Sequence, residues 1–239
     1  MITISRGIEI WKARVPELSA QIPRLASWLA EDETLRANRY HFDSGRRTSI
    51  VSRGGLRWLL SRYLGCDPAA IRFTYSEYGR PLLAFPAASE MRFSVSHSGD
   101  LVVYAFGRGF EIGIDVERMR PMKHAAGVAR RFFSEREQRS FGAAGPDRQL
   151  QAFFTCWTRK EAYIKATGVG LSTPLDQFSV GVLPEEATAI LEIEGSTEKA
   201  SAWELHDLEM EAGYAGALAV WGRGVGVSAW NPLGPDLIP

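Results

Sequence analysis

Two cysteines in a chain of 239 residues, Cys66 and Cys156, are too few for a disulfide framework. Neither has a spacing partner for a zinc site, so both read as reduced, partly buried thiols. Net charge is missing too. Lys and Arg number 28 and Asp and Glu number 28, so no global field draws the protein to nucleic acid or to a membrane surface. No apolar run approaches the roughly 20 residues of a membrane span. The N-terminal MITISRGIEIWKARV alternates like a strand and has no apolar signal-peptide core. A cytoplasmic location is expected. There is no Walker lysine loop and no G-x-G-x-x-G after a strand, which sets aside the common nucleotide-binding motifs.

What is present is an ordinary globular composition, 45% hydrophobic and 23% charged, long enough for one large domain or two intimate halves. Charge is concentrated locally. Arg36, Arg39, Arg46, Arg47, Arg53, Arg57 and Arg62 face a single acid, Asp43. Periodicity predicts a short helix over Glu17 to Leu29, then a longer helical region. Its last part, Ser49 to Tyr63, carries Ile50, Leu56, Leu59 and Leu60 on one stripe. Short strands follow at Ile71 to Thr74, Met91 to Ser94 and Leu101 to Phe106. YGRP at Tyr78 and the polar SHSGD are read as turns. Gly107-Arg108-Gly109 then leads into Phe110 to Glu117, as though closing another hairpin of an antiparallel sheet. In the second half, Ala125 to Phe133 reads as a helix, Ser134 with Glu137 as a capping box, and Arg148 to Ala166 as the best helix of the chain. Strands are expected at Phe178 to Val182, Ala189 to Ile193, Ala200 to Leu205 and Ala217 to Trp221. The tail from Asn231, rich in proline, is expected to be loosely held. Each half reads as helices followed by strands, an α+β fold of two similar lobes, residues 1–112 and 113–239.

Two segments carry the chemistry. In EIGIDVE, Ile112, Ile114 and Val116 face one side of a strand, while Asp115 and Glu117 face the other. Residues two apart stand roughly 6.6 Å apart along a strand, so both carboxylates can reach one hard cation. In WTRKEAYIKATGVGL, Glu161 and Lys165 are four apart and share a helix face. A solvated D-x-E strand and a surface ion pair of about 0.3–0.5 kcal/mol are the plain alternatives. Against the second stand Phe153, Phe154, Trp157, Tyr163 and Ile164, which wrap the helix in apolar surface, so its charges need a reason. Three carboxylates, Asp115, Glu117 and Glu161, call for a positive partner. A divalent metal is the economical one, with a phosphate as its other ligand near Lys165. Gly168 reads as a helix cap, and the role of Gly170 is open.

In this order, EYGRPLL, FSVSHSGD, IGIDVE, RRFFSEREQ and CWTRKEAYIKATGVGLSTPLDQFSV resemble the 4′-phosphopantetheinyl transferases of the Sfp type. The resemblance runs roughly from Arg36 to Val182. It implies transfer of the phosphopantetheine arm of coenzyme A to a serine of an acyl or peptidyl carrier protein, with release of adenosine 3′,5′-bisphosphate. It also implies two similar α/β lobes in one chain, a monomer, with the active site between them. By the same resemblance Asp115, Glu117 and Glu161 match the ligands of Mg²⁺ (or Mn²⁺). Glu161 matches the general base, and Lys165 a lysine on the coenzyme A phosphates. Arg80 matches a basic position that binds the coenzyme, Ser96 and His97 a segment touching its phosphates, and Arg36, with Arg53, the contact to the adenosine-side phosphate. Glu33 departs from the pattern, standing where some relatives carry a second lysine. Two other functions would use the same scaffold: a Mg²⁺-dependent phosphodiester hydrolase, and a binding module without turnover.

Overall fold

Two units account for the chain in the computed structural model, which describes residues 7–87, 90–170 and 174–239. The first comprises the chain up to Gly109 together with Gly226–Pro239, and the second is Phe110–Val225. The start of the expected N-terminal strand (residues 1–6) and Leu171 of the glycine-rich motif lie outside the described residues.

The first unit runs β1 (Glu9–Arg14), a 3₁₀ turn, α1 (Ile22–Ser27), α2 (Glu31–Asn38), α3 (Asp43–Leu64), β2 (Arg72–Tyr75), β3 (Pro81–Phe85), β4 (Met91–Ser98) and β5 (Leu101–Arg108). The apolar stripe of α3 is buried as its spacing predicts, and Gly65 closes the helix with a left-handed φ of 68°. β1, β5 and β4 form an antiparallel sheet in which β5 lies between the other two and is buried from Leu101 to Gly107. Hydrogen bonds tie this sheet to α3, among them one from the Tyr63 hydroxyl to Glu9 of β1 at 2.7 Å. The Tyr104 hydroxyl donates to the Val51 carbonyl at 2.8 Å, and Trp11 Nε1 donates to the Tyr63 hydroxyl at 2.7 Å.

SHSGD is not a turn for most of its length: β4 continues through Ser98, and only Gly99 and Asp100 reverse the chain. β4 is an edge strand, so polar Ser96 and His97 can be tolerated in it. The YGRP turn joins β2 to β3, a strand with no strong alternation of its own. The tail is also fixed rather than loose. Asn231–Pro232 pairs in parallel with Trp11 and Lys12, and Leu233 and Ile238 are buried in the first unit's core, with 2% and 5% of their surface exposed. The expected division at 112/113, with the tail in the second lobe, therefore gives way to one at 109/110 with the tail returned to the first unit.

The second unit runs β6 (Ile112–Arg118), α4 (Ala125–Phe132), α5 (Glu135–Ala143), α6 (Pro146–Thr167), β7 (Phe178–Val180), β8 (Ile190–Ile193), α7 (Thr197–Ser201), β9 (Trp203–Asp207) and β10 (Tyr214–Trp221). β6 does not form the next hairpin after β5. It pairs antiparallel with β10, which pairs with β9. The strand expected at Ala200 to Leu205 is a short helix followed by β9. Ser196 starts that helix by accepting from Lys199 N, which commits the residues around Ala200 to helix. α6 lies against β6 and β10, and its aromatic surface is packed: Phe153 stacks on Phe133 at 5.6 Å and on Trp157 at 5.9 Å. No helix among the described residues is long and apolar enough to cross a membrane.

Candidate active site

One glycine decides how near α6 comes to the acidic strand. A Cβ built on Gly113 would lie 2.1 Å from the Ala162 carbonyl oxygen and 2.3 Å from Ala166 N, both backbone atoms of α6. Only a residue without a side chain permits this approach. Asp115, two residues on, and Glu161 and Lys165, on either side of Ala162, are brought together by it.

Asp115 is 3% exposed, and its Oδ1 accepts from Lys165 Nζ at 2.6 Å. Glu117 follows on the same strand, half-buried. Glu161 is half-buried as well. Burial, and then the negative charge of Asp115, hold its carboxyl above the usual carboxylate range; Lys165 pulls it back and Glu117 pushes it further up. The three acids thus act on one another electrostatically. They are not closed into a ligand shell: among the described residues no three His, Cys, Asp or Glu side chains are drawn together closely enough to hold an ion. The expected convergence of three carboxylates on one cation appears as mutual repulsion, with the Lys165 ammonium supplying the positive charge at Asp115. Lys165 therefore bonds to Asp115 on the facing strand and also acts electrostatically on Glu161, one turn before it. The donor chemistry suits a hard divalent cation, since all three groups offer carboxylate oxygen and the crowding at Glu161 is relieved by positive charge.

In the first unit a cavity of about 180 Å³ is lined by Arg36, Arg53 and His97, with Glu33, Tyr40, Ser49 and Ser52 completing the wall. Three of the expected coenzyme-binding residues are therefore gathered from α2, α3 and β4. Arg80 and Ser96 are not among the lining residues: Arg80 lies in the β2–β3 turn, and Ser96 is buried in β4. The guanidinium groups are held from behind. Arg36 lies over the Tyr75 ring at 5.7 Å and Arg53 over Phe73 at 5.1 Å. Glu33, which sequence comparison marks only as a departure, has a structural role. It is 5% exposed, accepts from Ala30 N at 2.9 Å and from Arg57 Nε at 2.7 Å, and faces Arg53 Nε at 3.3 Å. Two guanidiniums and an imidazole around a small cavity suit a phosphate group.

The Ser134–Glu137 capping box is present, with the Glu137 carboxylate accepting from Ser134 N at 2.7 Å. Sequence reasoning missed its other partner. Lys160, fully buried beside Glu161, donates to both Glu137 oxygens at 2.7 Å. Gly168 caps α6 with a φ of 71°.

Two family models match this chain. The 4′-phosphopantetheinyl transferase superfamily covers residues 111–219, and the N-terminal domain model of 4′-phosphopantetheinyl transferase covers residues 11–107. The 4′-phosphopantetheinyl transferase HetI of Nostoc sp. is 34% identical over 230 residues, spanning 96% of this chain and 92% of its own. The 4′-phosphopantetheinyl transferase Sfp of Bacillus subtilis is 34% identical over 157 residues, 66% of this chain and 68% of its own. Among solved structures, a holo-(acyl-carrier-protein) synthase from Bacillus anthracis aligns with a TM-score of 0.36 and 18% identity, over 42% of this chain and 93% of its own. With sequence identity sustained along nearly the whole chain, and the acidic strand and its lysine helix inside the matched region, this protein belongs to the 4′-phosphopantetheinyl transferase superfamily, Sfp type.

Proposed function

We propose that the residues described above divide the family's reaction between them: transfer of the 4′-phosphopantetheine arm of coenzyme A to a serine of an acyl or peptidyl carrier protein. The observation that carries this reading is the seating of α6 on β6, which sets Asp115, Glu161 and Lys165 together beside Gly113. Arg36, Arg53 and His97 would hold a phosphate on the adenosine side of the coenzyme, with Arg80 and Ser96 nearer the pyrophosphate. The two units are read as equivalent lobes, each built on one long helix against an antiparallel sheet.

Asp115, Glu117 and Glu161 would hold Mg²⁺, which when bound supplies charge neutralisation to the pyrophosphate. The protein's own groups do the rest. The carrier serine oxygen attacks the β-phosphorus, a P–O bond forms, and the bond from that phosphorus to the bridging oxygen breaks. Adenosine 3′,5′-bisphosphate departs with the bonding electrons. Glu161 takes the serine proton. Without the ion, burial and then its acidic neighbours hold this carboxyl above the usual carboxylate range; Mg²⁺, when bound, would draw it back down, so the base acts against the pull of the metal. Lys165 can exchange Asp115 for a phosphate oxygen and stabilise the charge left on the departing group. Incubating the protein with coenzyme A, Mg²⁺ and an apo-carrier, followed by mass spectrometry of the carrier, is the test. A carrier that gains the arm supports the reading. Cleavage of coenzyme A with an unchanged carrier would make the protein a hydrolase.

A further inference from the structure

Residues 159 to 162 of α6 are anchored on three sides, and Glu161 is left to face the acidic strand. Ala162 rests on Gly113 of β6. Arg159, fully buried, donates through Nε to Asp207 of β9 at 2.8 Å and through Nη2 to Thr188 at 3.2 Å. Lys160 has no exposed side-chain surface and donates three times, each at 2.7 Å: to both oxygens of Glu137 and to the Phe178 carbonyl of β7. Glu137 is equally buried and accepts from Val180 N and Ser134 N as well. Its lone pairs are therefore committed on every side, and the pair cannot turn without breaking β7 or the start of α5.

Such a pair is a poor source of stability. Desolvating two charges offsets their attraction, and an apolar replacement of similar volume is often neutral or stabilising. Its value lies in direction. Successive helix residues are about 100° apart, so fixing residue 160 sets the azimuth of residue 161. We infer that Glu137 and Lys160 are positioning residues for Glu161: the buried ion pair fixes the rotation of α6 that presents the Glu161 carboxyl to Asp115 and Glu117. The inference rests on the functional reading above.

The test uses the full-length protein, Lys160→Met, and the double variant Glu137→Gln with Lys160→Met. Three quantities are read: the urea unfolding midpoint, kcat and KM for coenzyme A in carrier transfer, and Mn²⁺ binding by the loss of the free-ion EPR signal. Lys160→Met alone leaves a buried carboxylate without its partner and unfolds early. The double variant removes both charges and recovers part of the wild-type midpoint, because an amide at residue 137 can accept from only one of Ser134 N and Val180 N. Its kcat is expected to fall about tenfold or more because the base is displaced, with a smaller rise in KM for coenzyme A because Lys165 turns with the same helix while the first unit's cavity is untouched. Mn²⁺ binding weakens in parallel. A purely structural pair would lower the folded fraction but leave Mn²⁺ affinity and the kcat of folded enzyme alone, and that result overturns the inference. If the double variant does not fold, Lys160→Arg keeps the charge and moves the donor. Lowered kcat and weakened Mn²⁺ binding in a cooperatively folded Lys160→Arg support positioning, and wild-type values overturn it. A wild-type protein that neither transfers the arm nor binds Mn²⁺ defeats the functional reading itself, which separates the two failures.

Discussion

Gly113→Ala tests the central contact with a single methyl group. The added carbon would stand 2.1 Å from the Ala162 oxygen, 2.3 Å from Ala166 N and 2.9 Å from the Lys165 carbonyl carbon, where ordinary contact begins at 3.4 Å. All three are backbone atoms of one helix, so no side-chain rotation can relieve the overlap. Either β6 or α6 must move. β6 is held by its ladder to β10 through Val116↔Gly216 and Ile114↔Leu218, and α6 by Arg159 and Lys160. Overpacking costs about 1–3 kcal/mol in general, and with rigid neighbours on both sides the upper end applies. A shift of about 1 Å in a catalytic group costs about 10²-fold in rate. Two assays are therefore needed: urea unfolding, expected to show a loss of about 2–3 kcal/mol, and carrier transfer under conditions where the variant is folded, expected to show a kcat about 10²-fold lower. A variant with wild-type midpoint and wild-type turnover would show that α6 is not seated on Gly113, and the geometry argued for the site would be wrong.

Glu161→Gln removes a carboxylate whose ionised form the fold disfavours, so the metal-free unfolding midpoint should hold or rise while transfer falls by about 10²-fold or more; retained turnover would remove Glu161 as the base. Arg53→Ala should raise KM for coenzyme A about tenfold or more through loss of a charge-assisted contact, and the penalty should shrink with 3′-dephospho-coenzyme A; equal penalties for both would take Arg53 away from the 3′-phosphate. Removing divalent ions with EDTA should stop transfer, and Mg²⁺ at about 100 times its Kd should stabilise the folded protein by about 2.7 kcal/mol in a thermal scan; no shift would argue against the acidic triad as the binding site. Leu233→Ala should cost about 2–5 kcal/mol, read by urea unfolding, because the side chain it truncates is 2% exposed; a loss below 1 kcal/mol would mean the tail is held by its backbone alone.

What was legible in the chain was what repeats locally. The alternation around Asp115 and Glu117 gave β6, and the apolar circumference around Trp157 and Tyr163 gave α6 as a buried helix whose charges needed partners. Partners themselves were not legible when they lay far away in sequence. β6 shows the same pattern whether it pairs with β5 or with β10, and nothing local selects Tyr214–Trp221. Lys165 has an acid one turn earlier, but its bond to Asp115 on the facing strand could not be read from spacing, because it depends on Gly113 letting that strand come close. The Ser134–Glu137 box was readable, but a carboxylate accepts more bonds than a cap uses, and the buried Lys160 fills the remainder. Ser96 and His97 looked like turn residues because polar side chains are unusual in strands, and an edge position is where such residues are tolerated. In the tail the prolines suggest a loose end, but Leu233 and Ile238 are buried in the first unit's core and hold it in place.

The return of Gly226–Pro239 to β1 has a consequence for how the chain matures. During synthesis Phe110–Val225 emerges as one uninterrupted stretch and can complete its own core as soon as it leaves the ribosome. The earlier half must wait, its first strand uncapped along one edge, until Gly226–Pro239 arrives to cover it. Cutting the gene after Gly109 would therefore yield an incomplete product, whereas a fragment spanning the inserted half has everything its sheet requires.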